Sequence, residues 1–296
     1  MTDKAKILIV GSCGQIGNYL FIRGKQRNRF VTGTYFTTEI SGKNRIFMDI
    51  TDKKFFEYLE KFNPQIIIFP AFNPNVDFCE TNKKETELVN IKPMPKVIEF
   101  CRKRKTKLVY YSTDYIFDGE NGPYKEEAKA NPLCVYGHQK LKVESMIKAE
   151  LNNFIIARVT WVYGWELLGK NFVSRLVKSL NEGKEVQIPN DQFSNPTYAG
   201  NIATLTFDLL DIDYSGIINV SDCEIMSRYD FARAVAKFHK CNLDLLNPIE
   251  TKSLNQSAKR PLKGGFVLDK IETLLEVKMK SLSESLKLMV SEEGII

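Results

Sequence analysis

Histidine and tryptophan are scarce in this chain, two of each in 296 residues. Cysteine is present six times, at 13, 79, 101, 134, 223 and 241, but no pair has C-x-x-C spacing. A zinc site or a disulfide framework is therefore not expected, no metal is anticipated, and a reducing cytoplasm is the expected home. No apolar run approaches the roughly 20 residues of a membrane span. Met1-Thr2-Asp3-Lys4-Ala5-Lys6 runs into a strand without a signal-peptide core. A dominant charge is lacking too: the net charge of +6 is spread along the chain. Its densest basic run, Cys101 to Lys107, reads as a solvated helix end whose cations complement the dipole, so no nucleic-acid partner is expected. There are no repeats and no low-complexity linker. What remains is an ordinary globular composition, 43% hydrophobic, at a length that suits one large α/β unit or two intimately joined domains.

Short β-rich runs alternate with helical stretches. Ile7–Val10, Phe30–Tyr35, Arg45–Met48, Gln65–Phe69, Leu108–Tyr111, Phe154–Arg158 and Ile217–Val220 read as strands. Gln15–Gln26, Lys53–Phe62, Lys83–Arg104 (interrupted by Pro93 and Pro95), Asn171–Asn181, Ala199–Leu210, Arg228–His239 and Ser281–Met289 read as helices. That alternation implies an α/β fold, a Rossmann-like doubly wound parallel sheet covered on both faces. The second half is less regular and is expected to be a smaller interleaved lobe. Residues 1–160 and 198–222 would form the dinucleotide-binding part, and 161–197 and 223–296 the substrate-binding lobe.

Three constellations carry chemistry. Gly11-x-x-Gly14-x-x-Gly17 follows a strand and opens a helix, where glycines let a pyrophosphate approach backbone N–H groups at the positive helix end. The second strand ends Thr34-Tyr35-Phe36-Thr37-Thr38, with no carboxylate before Glu39 to bond a ribose hydroxyl. That leaves room for NADPH, with NADH as the other option. Asp49-Ile50 after the third strand would contact adenine or cap a helix. Ser112-Thr113-Asp114 follows a strand at the carboxyl edge of the sheet, where a hydroxyl can polarise a carbonyl or merely close a turn. Tyr136 and Lys140 stand four residues apart on one helix face, so the ammonium is expected to lower the phenol's pKa and make it a usable proton donor or acceptor.

The chain resembles the extended short-chain dehydrogenase/reductases and, within them, the dTDP-4-dehydrorhamnose reductase family. The matching residues run nearly end to end. They include Gly11 to Gly17, Val76-Asp77 with Glu80, Asn90, Tyr111 to Gly119, Pro132-Leu133, and Tyr136-Gly137 with Lys140-Leu141. Arg158, Trp161-Val162-Tyr163, Asn171-Phe172, Asp191-Gln192, Pro196-Thr197, Arg260-Pro261 and Leu268-Asp269 continue it. The resemblance implies Thr113, Tyr136 and Lys140 as the catalytic set, with Tyr136 protonating a sugar C4 carbonyl oxygen and Lys140 also holding the nicotinamide ribose. It implies Gly11, Cys13, Gly14, Gln15, Ile16, Asp49, Ile50, Ala71 and Asn90 on the cofactor. Val76, Asp114, Tyr115 and Trp161 would line a sugar pocket, Trp161 by laying its flat face on the ring. Asn171 and Arg260 would serve the diphosphate and nucleotide. The implied partner is a nucleotide sugar, and a homodimer is compatible with it.

Three segments depart from the family pattern, all where substrate contacts are expected. Ser194-Asn195 replaces the usual glycine before Pro196-Thr197, Phe72 stands in a normally small segment, and Arg260 to Asp269 is two residues longer than its motif. A second expectation comes from the regulatory beta subunit of methionine adenosyltransferase, which resembles the same family and acts mainly as a binding partner. It shares Phe117-Asp118-Gly119, Pro123-Tyr124 and Glu126-Glu127, whereas Trp161 and Asp191-Gln192 lean towards a reductase.

Overall fold

A computed structural model describes residues 5–37, 44–166 and 169–294. Met1 to Lys4, Thr38 and Glu39 lie outside the described residues. The elements run β1 (Lys6–Val10), α1 (Gln15–Gln26), β2 (Phe30–Tyr35), β3 (Arg45–Phe47), α2 (Lys53–Phe62), β4 (Ile66–Phe69), α3 (Val76–Thr81), α4 (Lys83–Asn90), α5 (Met94–Arg104), β5 (Lys107–Thr113) and α6 (Val135–Glu150). They continue with β6 (Phe154–Val159), β7 (Val162–Tyr163), α7 (Phe172–Asn181), β8 (Val186–Pro189), β9 (Phe193–Ser194), β10 (Thr197–Tyr198), α8 (Ala199–Asp211), β11 (Gly216–Asn219), β12 (Met226–Ser227), α9 (Arg228–Phe238), β13 (Leu246–Ile249), α10 (Asp269–Leu275) and α11 (Leu282–Ser291).

Seven strands form one sheet in the order β11-β6-β5-β4-β1-β2-β3, and every pairing is parallel. The expected doubly wound fold class holds. The chain works outward from β1 to β3, then crosses to β4 and works outward again. Between β1 and β4 it therefore diverges, which is where open α/β sheets bind ligands. The sheet is buried on both faces, so β1 reads as a continuous apolar run. Ile7 and Ile9 join one core layer with Tyr19, Leu20 and Phe207. Leu8 and Val10 join the other with Phe55, Leu59 and Val97.

Local chemistry sets the helix limits. Asp52 caps α2 by accepting from Lys54 N at 2.9 Å, and Asn63 ends it in a left-handed conformation before Pro64. The stretch expected as one interrupted helix from Lys83 is two: α4 ends at Asn90, and α5 begins after Pro93 with Pro95 in its first turn. The basic run at the end of α5 is paired, Arg102 with Glu150 at 3.1 Å, Lys103 with Glu99 at 2.6 Å and Arg104 with Glu60 at 2.7 Å. Short α3 was not anticipated; its cap Asn75 accepts from Phe78 N at 3.0 Å.

Beyond β6 the chain leaves the main sheet to make three two-stranded pairs, β7 with β10, β8 with β13 and β9 with β12. It returns for α8 and β11. A buried ion pair ties α6 to β6: Arg158 Nη2 lies 2.8 Å from Glu144, with both side chains under 5% exposed. Among the described residues, no helix is long and apolar enough to cross a membrane.

Candidate active site

The loop after β1 is shaped by close approach. Gly11 has φ +88°, and a Cβ there would lie 2.9 Å from the Cβ of Ala71 at the end of β4. A Cβ on Gly17 would lie 2.0 Å from Gly11 O, so α1 can start this near to β1 only with glycine at 17. Gly14 caps α1 without a side-chain hydrogen bond and no acid sits in the first turn, which leaves the amides of that turn for an anion. Gln15 and Ile16 face a cleft of about 1010 Å³ that runs from Gly11 past Tyr136 to Arg260. Cys13 is half-buried beside Ser12, whose hydroxyl donates to Thr34 O at 3.1 Å.

Asp49 and Ile50 lie outside that cleft's lining. Asp49 accepts from Thr51 N at 2.8 Å and Thr51 Oγ1 at 2.7 Å, closing the turn before α2, whose cap is Asp52. Ile50 is buried in the core layer with Phe55. Asn90 is turned inward: it donates to Gln139 at 2.8 Å and accepts from Asn73 N at 2.7 Å. It braces the loop after β4 against α6. An arginine that the sequence did not flag arrives from β3. Arg45 lies 4.2 Å over the Phe21 ring, donates to Asn18 at 2.5 Å, and interacts electrostatically with Cys13; among the described residues its Nε has no partner.

Tyr136 sits in the first turn of α6, whose start is fixed by Val135 N donating to Glu80 at 2.8 Å. The ring is 7% exposed, meets Tyr115 edge-on at 5.7 Å and Phe72 at 6.0 Å. Burial pushes its phenol well above the ordinary tyrosine value, and the Thr113 hydroxyl partly offsets this. The expected lowering by Lys140 is thus corrected. Lys140 donates to Tyr111 O at 2.7 Å and lies 2.9 Å from the Phe72 ring centre, so its charge is directed at a carbonyl and an aromatic face. Burial in turn holds the Lys140 ammonium well below its usual value, opposed by Glu144 one turn on. A buried, protonated phenol beside Thr113, with the ammonium one helical turn behind, can give up a proton to an oxygen gaining charge.

Val76, Tyr115, Trp161 and Arg260 border the same cleft, Val76 and Tyr115 packing against the buried cluster that contains Tyr136. Asp114 borders it too, but its carboxylate is turned inward to Thr160 at 2.7 Å and Ser194 at 3.0 Å. Burial raises its pKa against those hydrogen bonds. The unusual Ser194 thus has a partner, and Asp114 ties strand ends together. Trp161 has φ +38° and carries the Arg228 guanidinium 4.5 Å over its ring, so that face is not available to a sugar. Asn171 is a helix cap. It accepts from Ser174 N at 3.2 Å and donates to Gly164 O at 2.8 Å, leaving its amide no capacity directed at a diphosphate. Arg260 pairs with Asp77 at 2.6 Å, while among the described residues its buried Nη1 has no partner. Among the described residues, no three His, Cys, Asp or Glu side chains converge as a metal site requires.

A doubly wound parallel sheet, a glycine loop at its switch point and a Tyr-x-x-x-Lys helix over the next strand end define the extended short-chain dehydrogenase/reductase class. Within it, the chain belongs to the family described as RmlD substrate binding domain, which matches residues 5–294. It is 29% identical over 297 residues to a dTDP-4-dehydrorhamnose reductase of Aggregatibacter actinomycetemcomitans, covering 96% of this chain and 97% of that one. It is 28% identical to a probable low-salt glycan biosynthesis reductase of Haloferax volcanii, covering 94% and 95%. Among solved structures, dTDP-4-dehydrorhamnose reductase of Bacillus anthracis in complex with NADP superposes with a TM-score of 0.89 at 25% identity, covering 98% of this chain and 99% of that one.

Proposed function

We propose that this chain is an NADPH-dependent reductase of a nucleotide-linked 4-keto-6-deoxy sugar, converting dTDP-4-dehydro-L-rhamnose to dTDP-L-rhamnose for cell-surface polysaccharide. The carrying observation is the single cleft that joins the glycine loop to Tyr136 and on to Arg260. Family membership and relatives named as reductases support the same reading and do not favour the regulatory-subunit alternative.

The glycine loop and the first turn of α1 fit a pyrophosphate. NADPH, when bound, supplies the hydride. The Tyr136 hydroxyl donates its proton to the carbonyl oxygen, and its high pKa keeps that proton in place until negative charge develops there. The Thr113 hydroxyl orients the same oxygen. Lys140, which donates to Tyr111 O, would hold the nicotinamide ribose. For the phosphate preference, Thr34 to Thr37 offer no carboxylate, and Arg45 places a cation beside Cys13. The chain divides accordingly, residues 1–160 and 198–222 for the cofactor and 161–197 and 223–296 for the sugar nucleotide. A cytoplasmic location belongs to the same proposal, in keeping with six unpaired cysteines. The test is oxidation of NADPH, followed by its absorbance, with dTDP-, UDP-, GDP- and CDP-linked 4-keto sugars in turn. Turnover with the dTDP sugar is expected; silence with all four, despite cofactor binding, would sink the reading.

A further inference from the structure

Among the described residues, the cleft around Trp161 and Phe172 holds arginine charge that no acid pairs. Among the described residues three acids border this cleft, and each is engaged. Asp77 is paired with Arg260, Asp114 accepts from Thr160 and Ser194, and Glu166 accepts from the amide of Asn171. Arg175 and Arg228 border the same cleft, and among the described residues neither has an ion pair. Arg228 opens α9 and lies 4.5 Å over Trp161 and 4.0 Å over Phe172, with Phe231 one turn on stacking behind both rings at 6.4 and 5.3 Å. The rings hold the planar fork in place while leaving its N–H donors free, since stacking uses the faces of a guanidinium and hydrogen bonding its edge.

We infer that Arg228 is the phosphate anchor of the substrate, its guanidinium gripping the diphosphate of the nucleotide-linked sugar with Arg175 and Arg260 beside it. Burial lowers the Arg228 pKa to about 10; Arg175 and Arg260 add repulsion, against which Tyr115 and Asp114 act. Arg175 and Arg228, without an ion pair among the described residues, would be relieved by a dianion, and a bidentate guanidinium–phosphate contact is the geometry this fork supplies. The role given to Asn171 by resemblance passes to a residue 57 positions further on. The face of Trp161 serves the arginine in place of a sugar. This inference rests on the sugar-nucleotide reading above.

The experiment measures binding of dTDP and of thymidine by calorimetry, and of NADPH by fluorescence, in wild type, Arg228→Lys and Arg228→Met. Loss of a charge-assisted phosphate contact predicts dTDP binding weakened by about 10- to 100-fold in Arg228→Met. Arg228→Lys should fall between, with thymidine and NADPH within about twofold of wild type. In turnover the loss should appear in KM more than in kcat. A dTDP affinity unchanged in Arg228→Met overturns the inference. So does an equal loss for thymidine, which would mean that the aromatic wall has collapsed, or an equal loss for NADPH. Calorimetry needs no turnover, so wild type that binds dTDP through Arg228 yet reduces none of the sugars would defeat the reductase reading alone.

Discussion

The two walls of the cleft are assembled differently. The wall made by β1, α1 and α6 uses backbone and spacing: amides at a helix start, glycines where chains touch, and a tyrosine and lysine one turn apart. The facing wall uses side chains from α7, α9 and the segment around Arg260, brought together across up to 99 residues of chain from Trp161. In the first wall a short motif is the structure. In the second, each side chain's role depends on what lies against it, so a matching residue type can be present and otherwise employed. Asn171 caps α7, and Trp161 carries Arg228 over its ring.

The largest expected effect tests the first wall. Tyr136→Phe removes one hydroxyl from a ring held by Tyr115 and Phe72, so the packing should persist. Turnover should drop about 10²–10⁴-fold with NADPH affinity unchanged. Steady-state rates beside a fluorescence titration check it, and near-wild-type rates would remove Tyr136 from the mechanism.

Next is the joint beneath both walls. Arg158→Met strands Glu144 in the core directly below Lys140, since the pair is buried and bidentate at 3.1 and 2.8 Å. Breaking such a pair costs about 3–5 kcal/mol. Denaturant unfolding should report that loss, and a midpoint unchanged from wild type would show the pair to be idle.

Asp222 gives the seam between sheet and lobe a pH dependence. It accepts from Tyr198 N at 3.1 Å and Asn201 at 2.7 Å, and burial pushes its pKa up to about 6. The unfolded value is about 3.9. The folded state therefore keeps a proton that the unfolded state releases, and this stability is full below about pH 4 and lost as pH rises through about 6. Between those limits wild type should decline by on the order of 2–3 kcal/mol relative to Asp222→Asn. Parallel stability–pH profiles for the two proteins would refute it.

Gly17 and Gly14 sharpen the point about spacing, because they look equivalent in the motif. A Cβ at 17 meets Gly11 O at 2.0 Å, whereas one at 14 meets it at 3.5 Å, an ordinary contact. Gly17→Ala should cost about 1–3 kcal/mol of stability, typical of overpacking, and weaken NADPH binding. Gly14→Ala should fold as wild type. Equal melting temperatures for the two variants would contradict the geometry.

The sheet was legible because burial on both faces writes a strand such as Ile7–Val10 as an unbroken apolar run. The helix carrying Tyr136 and Lys140 was legible because their relation is local. The direction of Lys140 was not, since Phe72 and Tyr111 O reach it from other segments. Arg228 was visible only as the first residue of a helix. Its stacking on Trp161 and Phe172 needs a contact across 67 and 56 residues of chain, which no spacing records. Arg45 carries no local signal, because β3 pairs at the sheet edge and only the register Gly33 to Arg45 brings it beside α1.

The smallest effect separates cap from contact on the second wall. Asn171 accepts from Ser174 N and donates to Gly164 O, so Asn171→Ala leaves the start of α7 and the loop after β7 short of partners. Losing such a cap costs about 1 kcal/mol. If Asn171 only positions α7, stability falls by that amount, and dTDP affinity moves by less than the change at Arg228, through the small displacement of Phe172. Asn171→Asp, which keeps the acceptor for Ser174 N, should recover most of the stability. A dTDP loss in Asn171→Ala as large as that in Arg228→Met, with the melting temperature unchanged, would return Asn171 to the diphosphate and reverse the comparison of the two walls.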